Sequence, residues 1–255
     1  MIPAAVTARD VELVLMTVAR PVSYLPQTLA SLFLSDPLVQ ELPKVHLVVG
    51  SPDAGYLEDL AHHERLTVHR MRAAEWERIR KWGVHRRLAY NYWRCLSLPS
   101  QHLAGMCICE DDVVFREGFV AKLLQAVGEM RRDGLEKYVL AAYSYFDHAA
   151  EPGRRRGTYY CSCDASRHFG NCCLFFSPPA QAEAAEEVLR RGVERAELPA
   201  DLVIGAYGEE LWRRGEGGMY QTVASLAQHV GRTSTGTSGH YYRSPTFDRP
   251  WPSGG

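Results

Sequence analysis

A chain of 255 residues, 46% apolar and 23% charged, is long enough for one large domain or two small ones with a proper core. Its net charge of −1 and pI near 6.8 give no global drive toward nucleic acid or acidic membranes, so neither is expected as a partner. No run approaches roughly 18 uninterrupted apolar residues, so no membrane span is read, and no basic segment leads into a long apolar one, so no signal peptide is read.

Val11–Val18 is an apolar run stopped by Ala19-Arg20-Pro21, and it predicts a strand and then a loop. Ser23 is placed to cap a helix with Pro26 in its first turn and Leu25, Leu29 and Leu32 on its apolar face. Val45–Val49 predicts a second strand, stopped by Gly50-Ser51-Pro52-Asp53, and residues 67–70 a short third one. Residues 75–97 read as one long helix through Ile79, Trp82, Ala89, Trp93 and Leu96. A strand at 106–109 ends on Glu110, Asp111 and Asp112, and a helix follows on Phe119, Leu123, Val127 and Met130. Strands at 138–143 and 172–176, a helix at 180–192, a helix from Asp201 to Arg214 and a strand at 219–226 complete the order. Strand and helix alternate through the N-terminal half, which predicts an α/β fold with a mixed, mostly parallel sheet flanked by helices. Residues 1–243 are read as a single domain, and the tail 244–255, rich in Pro, Gly and Ser, is expected to be loosely held.

In such sheets ligands bind beyond the carboxyl ends of the strands. Arg20, Asp53 and the three acids all fall at predicted strand ends, so they are expected to converge on one crevice. Adjacent carboxylates repel and are tolerated where a cation or several hydrogen-bond donors sit among them; oxygen ligands of this kind suit Mg²⁺ or Mn²⁺. A solvated acidic turn opening the next helix accounts for the same residues. Asp201 sits where an N-cap would, with Glu209 and Glu210 two helical turns later. His229, just past a strand and before Gly231, reads alone as a surface or core histidine as readily as a ligand. Arg87 and Asn91 lie one helical turn apart, where a salt bridge or cap is the plain alternative to a ligand contact. Gly170, in His168-Phe169-Gly170-Asn171, reads as a turn glycine or as a point of close backbone approach. The basic runs 78–87 and 154–156 read as solvated surface. Seven cysteines, two of them inside the buried strand at 106–109, favour reduced thiols in a cytoplasmic setting. Cys161, Cys163, Cys172 and Cys173, with His168 among them, lack the C-x₂₋₄-C spacing of structural zinc.

Two segments carry a resemblance. Cys109–Phe115 (CEDDVVF) is similar to the acidic E-D-D-V motif of inverting nucleotide-sugar glycosyltransferases with the GT-A fold. Ser225–Ser234 (SLAQHVGRTS) is similar to their S-L-x-Q-H-x-G-x-x-S segment. In this order and separation the pair resembles the N-acetylglucosaminyltransferase IV group and the related GPI-glycan N-acetylgalactosaminyltransferase, loosely over 13–234. The resemblance implies a GT-A, Rossmann-like fold. It also implies metal-dependent inverting transfer of a sugar, N-acetylglucosamine as first candidate, from a UDP-sugar to a carbohydrate or small-molecule hydroxyl. Position by position it implies Asp112 and His229 as ligands of Mn²⁺ (or Mg²⁺), Asp111 near the donor ribose and sugar, and Glu110 orienting its neighbours. Asp201 matches the catalytic base, with Glu209 or Glu210 as fallback. Arg20 and Asp53 fall toward the diphosphate and nucleobase, Arg87 and Asn91 toward the donor, and Gly170 and Asn171 on the acceptor loop. The eukaryotic members carry a membrane anchor and extra C-terminal sequence, so a bare catalytic domain is expected here. The alternatives are a nucleotidyltransferase, whose usual glycine-rich basic loop Met16–Pro21 lacks, and a catalytically inactive GT-A-like binding module.

Overall fold

Every residue of β1 (Val11–Thr17) is buried. Alternation along the strand sends Leu13 and Leu15 to one apolar layer and Val14 and Met16 to another. A strand covered on both faces reads as a nearly continuous apolar run, broken in β1 only by Glu12 before its final Thr17, which is why it was visible in the sequence. The computed structural model describes residues 5–20, 22–52, 57–58, 60, 62–99, 104–151, 153, 157–168, 170–232 and 243–252. Around β1 it assembles β2 (Val45–Val49), β3 (Leu66–His69), β4 (Gly105–Glu110), β6 (Lys137–Ala141), β7 (Tyr160–Ser162), β8 (Cys173–Phe176) and β9 (Gly217–Thr222). The eight strands lie in the order β3-β2-β1-β4-β8-β6-β9-β7. All run parallel to β1 except β8 and β7, which are antiparallel to their neighbours. A separate antiparallel pair joins β5 (Val113–Phe115) to β10 (Ala227–His229).

One layer packs α1 (Leu25–Ser35) and α4 (Phe119–Arg132) on the sheet through Leu25, Leu29, Leu32, Phe119, Leu123 and Val127. The other carries α2 (Ala73–Ile79), α3 (Val84–Leu96), α5 (Pro178–Glu187) and α6 (Ala200–Arg214). The mixed, mostly parallel α/β sheet flanked by helices is therefore present as expected. Among the described residues no helix is long and apolar enough to cross a membrane.

Several local expectations need correction. The single helix over 75–97 is two, because the chain turns at Lys81-Trp82-Gly83, with Gly83 in extended backbone at the N-cap of the second helix. Ser23 does not cap α1; the helix opens after Tyr24, with Pro26 in its first turn as expected. Asp201 is not an N-cap either: Pro199 holds that position and Asp201 lies inside the first turn of α6. The strand expected over 219–226 stops at Thr222, and Leu226 instead donates its amide to the Ala142 carbonyl at 2.7 Å. The described residues of the tail make specific contacts. Ser244 and Thr246 are buried and bonded to Ser225, and Trp251 stacks on Tyr159 at 5.5 Å and donates to Gln125. Arg154–Arg156 lie outside the described residues.

Candidate active site

The sequence after β4 turns at Asp111 and Asp112 before entering β5. The β5–β10 register sets His229 opposite Val113, so two segments remote in sequence become neighbours through one short antiparallel pair. His229 Nε2 lies 3.3 Å from Asp112 Oδ2, and the Val230 amide donates to the Asp112 carbonyl at 2.8 Å. Gly231 completes the approach: a Cβ there would stand 2.3 Å from Asp112 Oδ2, so only glycine fits beside the carboxylate.

Three further side chains tie the turn down. Arg20, just past β1, donates to Asp112 Oδ2 at 2.9 Å and to Asp111 Oδ1. Thr17, the last residue of β1, donates to Asp111 Oδ2 at 2.5 Å. On α1 the Thr28 hydroxyl lies 2.7 Å from the Asp111 carbonyl and 2.8 Å from that of Val113, one proton shared between two acceptors. The Tyr24 ring lies 5.7 Å from the Arg20 guanidinium, and its hydroxyl accepts from the Arg232 amide at 3.0 Å. Glu110 donates its amide to the Cys172 carbonyl at 3.0 Å.

Burial sets the electrostatics. It pushes the Glu110 carboxyl up to about 7, with Asp112 adding repulsion and His229 and Arg20 opposing. It pushes Asp111 up to about 6, against the pull of Arg20 and Thr17. Asp112 feels the same burial, but its hydrogen bond to His229 and the charges of His229 and Arg20 hold it below the usual carboxylate range. For His229, burial is outweighed by Asp112 and Glu110, so its pKa is raised. The Asp112 Oδ1, Arg20 Nε and Asn91 Oδ1 atoms are buried and have no hydrogen-bond partner among the described residues. Buried polar atoms of this kind are costly unless something binds them. A buried carboxylate oxygen with an imidazole beside it is a donor set that fits Mn²⁺, so the residue types of Asp112 and His229 fit the cation that the resemblance implied.

Asn91 is buried on α3 against Val18 and Gly50, at the ends of β1 and β2. Arg87 is elsewhere engaged: it donates to the Arg80 carbonyl at 3.1 Å and closes the end of α2. Asp53 lies outside the described residues.

Asp201, Gly170 and Asn171 come together at the start of α6. The Gly170 amide points at Asp201 Oδ2 from 3.4 Å, and Gly170 has φ +75°, a conformation that glycine adopts without strain. The Asn171 side chain is committed to buried His168, 3.0 Å away. Glu209 is exposed and Glu210 pairs with Arg213 and Arg214, so both fallback carboxylates sit on the solvent side of α6, roughly 12 Å along the helix from Asp201. Cys172 lies between the two groups, its carbonyl taking the Glu110 amide and its sulfur standing beside Gly170. Burial raises its thiol pKa first, and Glu110, Asp112 and Asp201 all add to the rise.

Sequence reasoning missed Thr17 and Thr28. Thr28 had a signal, a polar residue on the face otherwise marked by Leu25, Leu29 and Leu32. The cysteines grouped in sequence are not grouped in space: Cys161 on β7 is separated from Cys173 on β8 by β9 and β6.

No protein-family model matches the sequence, and no curated protein matches it. Solved structures with a similar fold include one assigned as a glucose-1-phosphate thymidylyltransferase from Bacillus anthracis, bound to sucrose. It has TM-score 0.48 and 10% identity, covering 86% of this chain and 89% of that one. A 4-diphosphocytidyl-2C-methyl-D-erythritol synthase from Anaerococcus prevotii has TM-score 0.48 and 11% identity over 86% and 89%. The galactosyltransferase LgtC, with donor and acceptor sugar analogues, has TM-score 0.45 and 10% identity over 82% and 72%. At such scores these likenesses carry no functional weight.

Proposed function

We propose that this chain is a metal-dependent, inverting glycosyltransferase of the GT-A type. In this reading it moves a sugar, N-acetylglucosamine as first candidate, from a UDP-sugar to a carbohydrate or small-molecule hydroxyl. The observation that carries the reading is the 3.3 Å approach of His229 to Asp112. Asp112 and His229 would hold Mn²⁺ (or Mg²⁺), and the imidazole would favour Mn²⁺. When bound, the cation neutralises the diphosphate as it leaves. Arg20 carries a further positive charge to the same place, and Asp111, bonded to Thr17, orients the donor ribose and sugar beside Glu110. Asn91 offers its unpartnered amide oxygen at the ends of β1 and β2. Asp201 accepts the acceptor's hydroxyl proton as attack proceeds, on the side of Gly170 and Asn171.

The test is UDP release from a panel of UDP-sugars with Mn²⁺ and simple sugar acceptors. Release with one donor and loss of it in EDTA are expected. No binding of any nucleotide sugar would favour the inactive binding module, and pyrophosphate release from a nucleoside triphosphate plus sugar phosphate would favour a nucleotidyltransferase. One observation favours a second reading: Arg20 already bonds both Asp111 and Asp112, as an internal cation would. Undiminished turnover in EDTA would select that metal-independent version.

A further inference from the structure

β4 and β8 run antiparallel with Cys109 directly opposite Cys173. The Glu110 amide bonds to the Cys172 carbonyl, so 110 and 172 form a hydrogen-bonded pair and Cys109 and Cys173 the adjoining non-hydrogen-bonded one. Such pairs bring Cα atoms to about 4.5 Å with their side chains leaning together, within the reach of a disulfide. The two sulfurs are already 3.2 Å apart, and the Cys107 sulfur stands 3.8 Å from one and 3.9 Å from the other. All three side chains are fully buried, in the layer that holds Leu13, Leu15 and Phe175.

We propose that Cys109 and Cys173 are a covalent modification site that closes into a cross-strand disulfide when a peroxide reaches it. Two S–H bonds and the peroxide O–O bond break, and one S–S bond forms. The two sulfurs are oxidised, hydrogen peroxide is reduced, and the two thiol protons leave in two molecules of water. A soft cation held by the three sulfurs is the competing use of this cluster. It would require thiolates in an apolar layer, whereas a cystine is neutral. Burial raises the thiol pKa of Cys109 and Cys173 and so keeps their thiolate fraction and rate of oxidation low, while their hydrogen bonds lower that of Cys107 to about 5; the proposal rests on the facing of the two sulfurs. Residue 109 adjoins Glu110, and the carbonyl that holds the Glu110 amide adjoins residue 173. The bond would therefore staple the floor of the acidic turn, whatever reaction occurs there. The loop it closes, residues 109–173, is long, so it would constrain the unfolded chain strongly.

The experiment treats the folded full-length protein with hydrogen peroxide, blocks remaining thiols, and maps linked peptides by mass spectrometry without reduction. A single Cys109–Cys173 link, five alkylated cysteines instead of seven, and a Tm raised by roughly 5–15 °C and restored by dithiothreitol are expected. The same link should form in Cys107→Ser. Seven thiols surviving in the folded protein, or a link that uses Cys107, would overturn the proposal. One equivalent of Cd²⁺ bound with a thiolate charge-transfer band and shielding all three cysteines from peroxide would overturn it as well. Because the main measurement is made on the unaltered chain, no variant has to fold for the answer to be read.

Discussion

Around Asp112 the structure is held by several contacts: Arg20 and His229 on one oxygen of its side chain, Val230 on its carbonyl, Thr28 and Thr17 on the residue before it. Around Asp201 it is loose by comparison. That carboxylate is half-buried, and its contacts are a 3.4 Å approach from Gly170 and a 3.0 Å bond from its own neighbour Leu202. The difference teaches where precision is needed. Under the proposed function, charges aimed at a leaving diphosphate act best when fixed before the substrate arrives, since reorienting them during the reaction costs free energy. Under the same proposal an acceptor has to enter and leave, and a carboxylate that is not consumed by internal bonds retains lone pairs for its hydroxyl.

The comparison breaks most sharply at Asp112. In Asp112→Ala, Mn²⁺-dependent UDP binding should vanish from calorimetry and turnover should fall ~10³-fold or more, several kcal/mol of lost charge stabilisation. Affinity unchanged in the presence of the metal would remove the residue from the donor half. Next comes Asp201→Asn, which should bind the donor normally and lose turnover by roughly 10²-fold; full turnover would move the base elsewhere.

A smaller effect is expected for Gly231→Ala, whose new methyl would press on Asp112 Oδ2. About a tenfold loss of metal affinity is predicted, read by titrating activity with Mn²⁺, with Asp201→Asn showing no such shift. Smallest is Thr28→Val, which keeps the shape and removes the hydroxyl shared by two carbonyls. Urea unfolding should show a stability loss of about 1–2 kcal/mol. No change would mean that the acidic turn holds itself.

The strands of the sheet's centre were legible because burial on both faces leaves its mark on every residue of a short run, as in 11–17 and 105–109. Three short strands escaped, β5, β7 and β10, each of three residues, too few for any periodicity to register. The two helices mistaken for one share an apolar face, and only the turn at Gly83 parts them. In the site, the resemblance of two segments to a family's motifs implies that Asp112 and His229 are neighbours, and they stand 3.3 Å apart. Arg87, one helical turn from Asn91, bonds the Arg80 carbonyl at the end of α2. Thr17 and Thr28 were passed over because a threonine in an apolar segment has no chemistry of its own until a carboxylate stands beside it.

By itself the sequence determined the layered α/β plan and the identity of the charged residues, since these depend on local burial patterns and side-chain chemistry. Only the tertiary structure decided which of them meet. The pairing of β10 with β5, the seating of Thr28 under the turn and the facing of Cys109 with Cys173 all depend on strand register. Register is set by contacts across the whole sheet, and a slip of one residue would turn each of these side chains to the opposite face.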